Sequence, residues 1–129
     1  MASVSSGIRT DSNFMNLKAV NISEVRREVF DLLASGETVV SAFKTIRDQV
    51  IFTDKRIFVV NVQGVTGKKI AYFSYPYSKI QYFGIETAGL IDIDSELTVA
   101  FSNGTVLQFD FKSNVNIRQI SQIISQYIL

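Results

Sequence analysis

Leu97-Thr-Val-Ala-Phe-Ser-Asn-Gly-Thr-Val-Leu-Gln-Phe-Asp-Phe111 is the stretch that decides the fold. Leu97, Val99 and Phe101 alternate with smaller or polar residues, and Leu107, Phe109 and Phe111 repeat the pattern after them. Period-two alternation puts each triplet on one face of a strand. Between the triplets, Asn103-Gly104 is the strongest short hairpin signal, because both residues tolerate the positive φ of a tight turn. The stretch is therefore two antiparallel strands that share one buried face.

The same grammar extends upstream. Residues 38–46, 49–53, 57–62, 68–75 and 80–86 are rich in β-branched and aromatic side chains, and each is bounded by turn residues. The turns are Arg47-Asp48, Thr53-Asp-Lys-Arg56 (where Asp54 can bond its own backbone), Gly64-Val-Thr-Gly67 and Thr87-Ala-Gly89. Ile57-Phe-Val-Val60 is apolar at successive positions, which marks a central strand covered on both faces. Pro76 ends its strand, since it has no N–H for a ladder. Downstream, Ile117, Ile120, Ile123, Ile124 and Ile128 recur at helical spacing, with Asn114 or Asn116 as the cap. Near the start, Ser23 is expected to cap a short helix over residues 24–33, with Val25, Val29, Leu32 and Leu33 on one face and Gly36 as its stop. Residues 1–15 are polar and aperiodic and are read as a disordered leader, leaving 16–129 as a single domain. The expected fold is mainly β: a seven-stranded antiparallel barrel or sandwich, closed by the C-terminal helix, with a short N-terminal helix.

Composition removes whole classes of function. The 129 residues contain no Cys, His or Trp. That excludes a disulfide framework, a thiolate nucleophile, an imidazole base and an ordinary zinc site. Thirteen basic residues against twelve acidic ones leave +1, without the excess expected of a nucleic-acid binder. No apolar run approaches the length of a membrane span, and the N-terminus has no secretory apolar region, so the expected location is cytoplasmic.

Five segments, taken in order, resemble the bacterial pleckstrin-homology domain family. They are Ala42-Phe-Lys-Thr-Ile-Arg-Asp-Gln-Val-Ile-Phe-Thr-Asp-Lys-Arg56, Gln63-Gly-Val-Thr-Gly-Lys-Lys69, Tyr75-Pro-Tyr-Ser-Lys-Ile80, Glu86-Thr-Ala-Gly89 and Asp92-Ile-Asp-Ser-Glu-Leu97. The resemblance spans about residues 23–129 and implies a seven-stranded barrel with a closing helix, a small non-enzymatic domain, and a tendency to form homo-oligomeric rings. Eukaryotic relatives of the fold bind phosphoinositides, or peptides along a sheet edge. The lipid-binding pattern places several Lys and Arg around a long first loop, whereas here that turn is only Arg47-Asp48, with Lys44 beside it.

Three constellations remain as candidate sites. The aromatic run Tyr72-Phe-Ser-Tyr-Pro-Tyr77, with Tyr82-Phe83, expects rings on both faces, and Tyr72, Tyr75, Tyr77 and Tyr82 are the candidates for a self-association interface. Lys44, Arg47, Lys55, Arg56, Lys68 and Lys69 are the candidates for an anion or lipid contact, with the membrane less favoured than self-association. Asp92, Asp94 and Glu96 alternate on one strand face and are read as solvated polar positions in preference to a hard-cation site. Neither a catalytic residue nor a cofactor is expected. The favoured reading is a scaffold whose partner is another copy of itself; the alternatives are a peripheral membrane or phosphoinositide module and a peptide binder that works by strand addition.

Overall fold

The computed structural model describes residues 12–87, 94–112 and 115–129. Eight strands form one curled sheet: β1 (Ser12–Val20), β2 (Val39–Lys44), β3 (Gln49–Thr53), β4 (Arg56–Gln63), β5 (Lys69–Pro76), β6 (Ile80–Thr87), β7 (Ser95–Phe101) and β8 (Val106–Phe111). Their order across the sheet is β5-β4-β3-β2-β1-β8-β7-β6. Two helices accompany it, α1 (Arg27–Leu32) and α2 (Ile117–Ile128). The mainly β, helix-closed architecture is as expected, but among the described residues the strands number eight and one pairing is parallel.

The additional strand is β1, which begins at Ser12, inside the stretch read as a leader. Its first half runs parallel to β8 and its second half antiparallel to β2, so it joins the two halves of the sheet. Asn16, at φ 57°, sits in a register shift between Phe14 and Leu17. The irregularity turns two residues that lie three apart to the same side, and both are buried. Phe14 stacks on Phe109 with ring centroids 5.2 Å apart.

The main core lies inside the curl, where Leu17, Phe43, Phe52, Leu97, Leu107, Phe109 and Phe111 meet Ile120 and Ile124 of α2. Asn116 caps α2 by accepting from the Gln119 N–H at 3.0 Å. A second, smaller core on the other face of β2–β4 packs Val25 and Val29 against Ala42, Ile51, Phe58 and Val60. Strand β4 therefore sends Ile57 and Val59 into one core and Phe58 and Val60 into the other, as its unbroken apolar run requires.

The N-terminal helix is shorter than its apolar spacing suggests. Ile22–Glu24 forms a 3-10 turn, Val25 is extended, and α1 starts only at Arg27, with Arg26 and not Ser23 at its N-cap. The break is held from outside: the Gln49 side chain accepts from the Arg26 N–H at 3.0 Å and donates to the Glu24 carbonyl at 2.8 Å. Helix α1 ends at Leu32 with an extended Leu33 as its C-cap, so Gly36, at φ 79°, belongs to the following turn. In the β3–β4 turn the Thr53 hydroxyl accepts from the Lys55 and Arg56 N–H groups, while Asp54 reaches across to the Thr38 N–H.

Candidate interaction surfaces

Because β5 and β6 end the strand order, each has one side without a strand partner among the described residues. Proteins usually guard such edges with lysines, prolines or bulges. Strand β5 carries Lys69 and Pro76 only at its ends, and the six residues between them are uncharged. Strand β6 has a register shift between Ile80 and Tyr82, then runs in regular register from Tyr82 to Thr87 with Glu86 as its single charge. Its side chains are mostly exposed, with Tyr82 at 60% and Ile85 at 39%.

The four candidate tyrosines fall into different environments. Tyr82 is exposed on β6. Tyr75 is half-buried, with its ring 5.5 Å from that of Phe101. Tyr72 is half-buried against the second core. Tyr77 is not a surface residue at all: it is 1% exposed, in the 3-10 turn Tyr77–Lys79, and its hydroxyl donates to the Thr53 carbonyl at 2.7 Å. Burial pushes its phenol well above the ordinary range. Among the described residues the aromatic surplus is thus largely core packing, and Tyr82 is the most exposed of the four.

The six candidate cations do not form one patch either. Lys55 and Arg56 lie at the β3–β4 turn, at the opposite end of these strands from the β2–β3 turn and the β4–β5 hairpin. Arg56 is committed internally. It bonds both Glu37 oxygens at 2.6 and 2.9 Å, donates to the Leu32 carbonyl and the Ser74 hydroxyl, and lies 4.5 Å over the Phe58 ring. Burial pushes the Glu37 carboxyl up, but Arg56, the Thr53 hydroxyl and the Ala34 N–H outweigh burial and hold it at about 2. The same pairing raises the Arg56 guanidinium. This knot ties the chain after α1 to β3, β4 and β5, and each oxygen of its carboxylate is taken up by protein donors.

Lys44, Arg47, Lys68 and Lys69 do share an end of the fold. The Arg47 guanidinium donates to the Gly64 carbonyl at 2.6 Å, which fastens the β2–β3 turn to the β4–β5 hairpin. The fold adds two cations that motif reasoning missed. Lys18 on β1 is the Cα partner of Lys44, and the Lys112 N–H bonds the Leu17 carbonyl. Lys18 went unnoticed because the irregular β1 has no readable period, and Lys112 because it is a lone charge beyond a strand.

Asp92 lies outside the described residues. Asp94 is 3.8 Å from Lys112, and Glu96 stands in register between Glu86 on β6 and Asp110 on β8. Among the described residues, no group of three or more acidic side chains is gathered closely enough to hold a metal ion.

The family model for the bacterial PH domain matches residues 9–128. The uncharacterised YjqA protein of Bacillus subtilis is 38% identical over 112 residues, covering 85% of this chain and 90% of its own length. The uncharacterised YozO protein of the same species is 27% identical over 114 residues, covering 88% and 98%. Among solved structures, a DUF1696-family protein with a pleckstrin-homology domain from Shewanella loihica is 35% identical, with a TM-score of 0.72, over 89% of this chain and 99% of its own. A pleckstrin-homology domain from Shewanella amazonensis is 36% identical, with a TM-score of 0.58, over 85% and 90%.

Proposed function

The chain belongs to the bacterial pleckstrin-homology domain family, and from that premise we propose a non-enzymatic interaction module that joins copies of itself through the two open ends of its sheet. The observation that carries this reading is the pair of edge strands whose guards stand only towards their ends, above all the exposed β6 with Tyr82 and Ile85. Strand β6 of one copy laid beside β5 of the next satisfies both rows of backbone groups. Such a contact is head-to-tail, so it repeats and closes into a ring when the rotation permits. Residue chemistry supports a role without catalysis. The chain has neither His nor Cys, and among the described residues the one carboxylate with a strongly lowered pKa is locked into a structural ion pair. No helix among the described residues is long and apolar enough to cross a membrane, and a cytoplasmic setting belongs to the same reading.

Light scattering at tens of micromolar tests it. The expected mass is several-fold above 14.4 kDa, and Ile85→Lys, which guards the β6 edge, is expected to return the monomer. A wild-type monomer overturns self-association. A peptide added to the same β6 edge then becomes the stronger reading.

A further inference from the structure

The corner where the chain passes from β5 to β6 holds a cavity of about 350 Å³, a size that small-molecule sites have. It lies between the last residues of β5, the 3-10 turn Tyr77–Lys79 and the β7–β8 hairpin. Its apolar walls are the rings of Tyr75, Pro76 and Phe101. The Tyr75 and Phe101 centroids are 5.5 Å apart, with their planes inclined at 41°. Two tilted rings side by side offer a flat apolar body both faces and edges to pack on.

The walls are fixed in advance by hydrogen bonds. The Lys79 carbonyl accepts from both the N–H and the hydroxyl of Ser102 at 3.0 Å, which ties the hairpin to the turn. Within the hairpin, the Phe101 N–H donates to the Thr105 carbonyl at 2.8 Å and the Gly104 N–H to the Phe101 carbonyl at 3.0 Å. A site with so little left to order loses little entropy on binding.

The polar groups around these walls are donors. Lys79 is exposed and is the one charged residue among the described residues that line the cavity, and none of them is acidic. The Asn103 side-chain oxygen already accepts from the Thr105 N–H at 3.0 Å, so its amide nitrogen is the end left to offer. The Ser74 hydroxyl oxygen accepts from the Arg56 guanidinium at 3.1 Å, which leaves its proton to donate. An ammonium, an amide and a hydroxyl, with no carboxylate beside them, match an anionic acceptor.

We propose that this corner binds a small aromatic carboxylate, its ring against Tyr75, Pro76 and Phe101 and its carboxylate facing Lys79 and Asn103. None of the six candidate cations singled out in the sequence lines the cavity. The site does not rest on self-association.

Benzoate is the probe, titrated against the full chain by saturation-transfer difference NMR and calorimetry. A second copy seated along β5 would cover Tyr75 and Pro76, so the Ile85→Lys chain is titrated in parallel. Saturable binding is expected, with a Kd on the order of 1 mM. Benzamide keeps the ring without the charge, and acetate keeps the charge without the ring; each is expected to bind about tenfold more weakly. Lys79→Gln is expected to bring benzoate down to the benzamide level. Tyr75→Leu is expected to weaken both aromatic probes about fivefold, with the far-ultraviolet circular dichroism unchanged. Absence of saturable benzoate binding by both chains overturns the proposal, as does equal binding of benzamide or acetate. So does a benzoate affinity unchanged in either variant, which would place the probe elsewhere on the surface.

Discussion

Strands β4 and β6 are equally long, eight residues each, and both are rich in aliphatic and aromatic side chains, yet they have opposite fates. Strand β4 lies between β3 and β5 and sends alternate residues into two cores, so Ile57, Phe58, Val59 and Val60 are all buried. Among the described residues, strand β6 pairs only with β7, and from Gln81 onward only Phe83 is withdrawn from exposure. The difference lies in what covers each strand. Helix α1 and its neighbours complete the second core over β4, whereas α2 and the main core take from β6 little beyond Ile80 and Phe83. Apolar content therefore reports that a strand seeks burial. Whether its own chain supplies that burial depends on position in the sheet, and among the described residues β6 is the strand left mostly exposed.

Mutations that probe each side of the contrast should differ widely in effect. Phe58→Ala on β4 empties a fully enclosed site and removes the ring beneath Arg56; it is expected to cost about 3–5 kcal/mol in chemical denaturation. Next comes the Glu37–Arg56 knot that holds the chain after α1 to β4. The Glu37 carboxyl lies at about 2 in the folded chain against a usual 4.5, so its contribution is complete above pH 4.5 and disappears as pH falls towards 2. That is worth on the order of 2–3 kcal/mol, read as a falling denaturation midpoint over this window, and Glu37→Gln should flatten the slope there. The smallest effect on stability belongs to β6. Ile85→Lys should change the unfolding free energy by about 0.5 kcal/mol or less while abolishing self-association. A large loss of stability in the isolated variant would show that β6 is already covered within its own chain and would erase the contrast.

Much of this architecture was legible in the residues. Asn103-Gly104 announced its hairpin, and Gly104 takes φ 92° there. The run Ile57-Phe-Val-Val60 announced a doubly covered strand, and the isoleucine stripe announced a docked helix. Strand β1 stayed hidden because the irregularity at Asn16 separates Phe14 and Leu17 by three residues, a spacing that belongs to neither strand nor helix period. The break before α1 was equally hidden, since the Gln49 amide that straightens Val25 and Arg26 comes from more than twenty residues away. The candidate sites were less legible than the fold. Arg56 looks like a free cation until Glu37 folds against it, and Tyr77 looks like an interface residue until its turn carries it beneath β3.

By itself, the sequence determined everything that depends on local periodicity and on which residue types are present. It specified a mainly β domain with a closing helix, its hairpins, and a chemistry without imidazole or thiol. Only the tertiary structure decided which strands became the two ends of the sheet, which charges were consumed in pairs, and which lysines came together. Those outcomes depend on contacts between residues distant in the chain. Lys18 meets Lys44 only because β1 crosses from β8 to β2, and β6 lies at the end of the sheet because, among the described residues, β7 is its one strand partner.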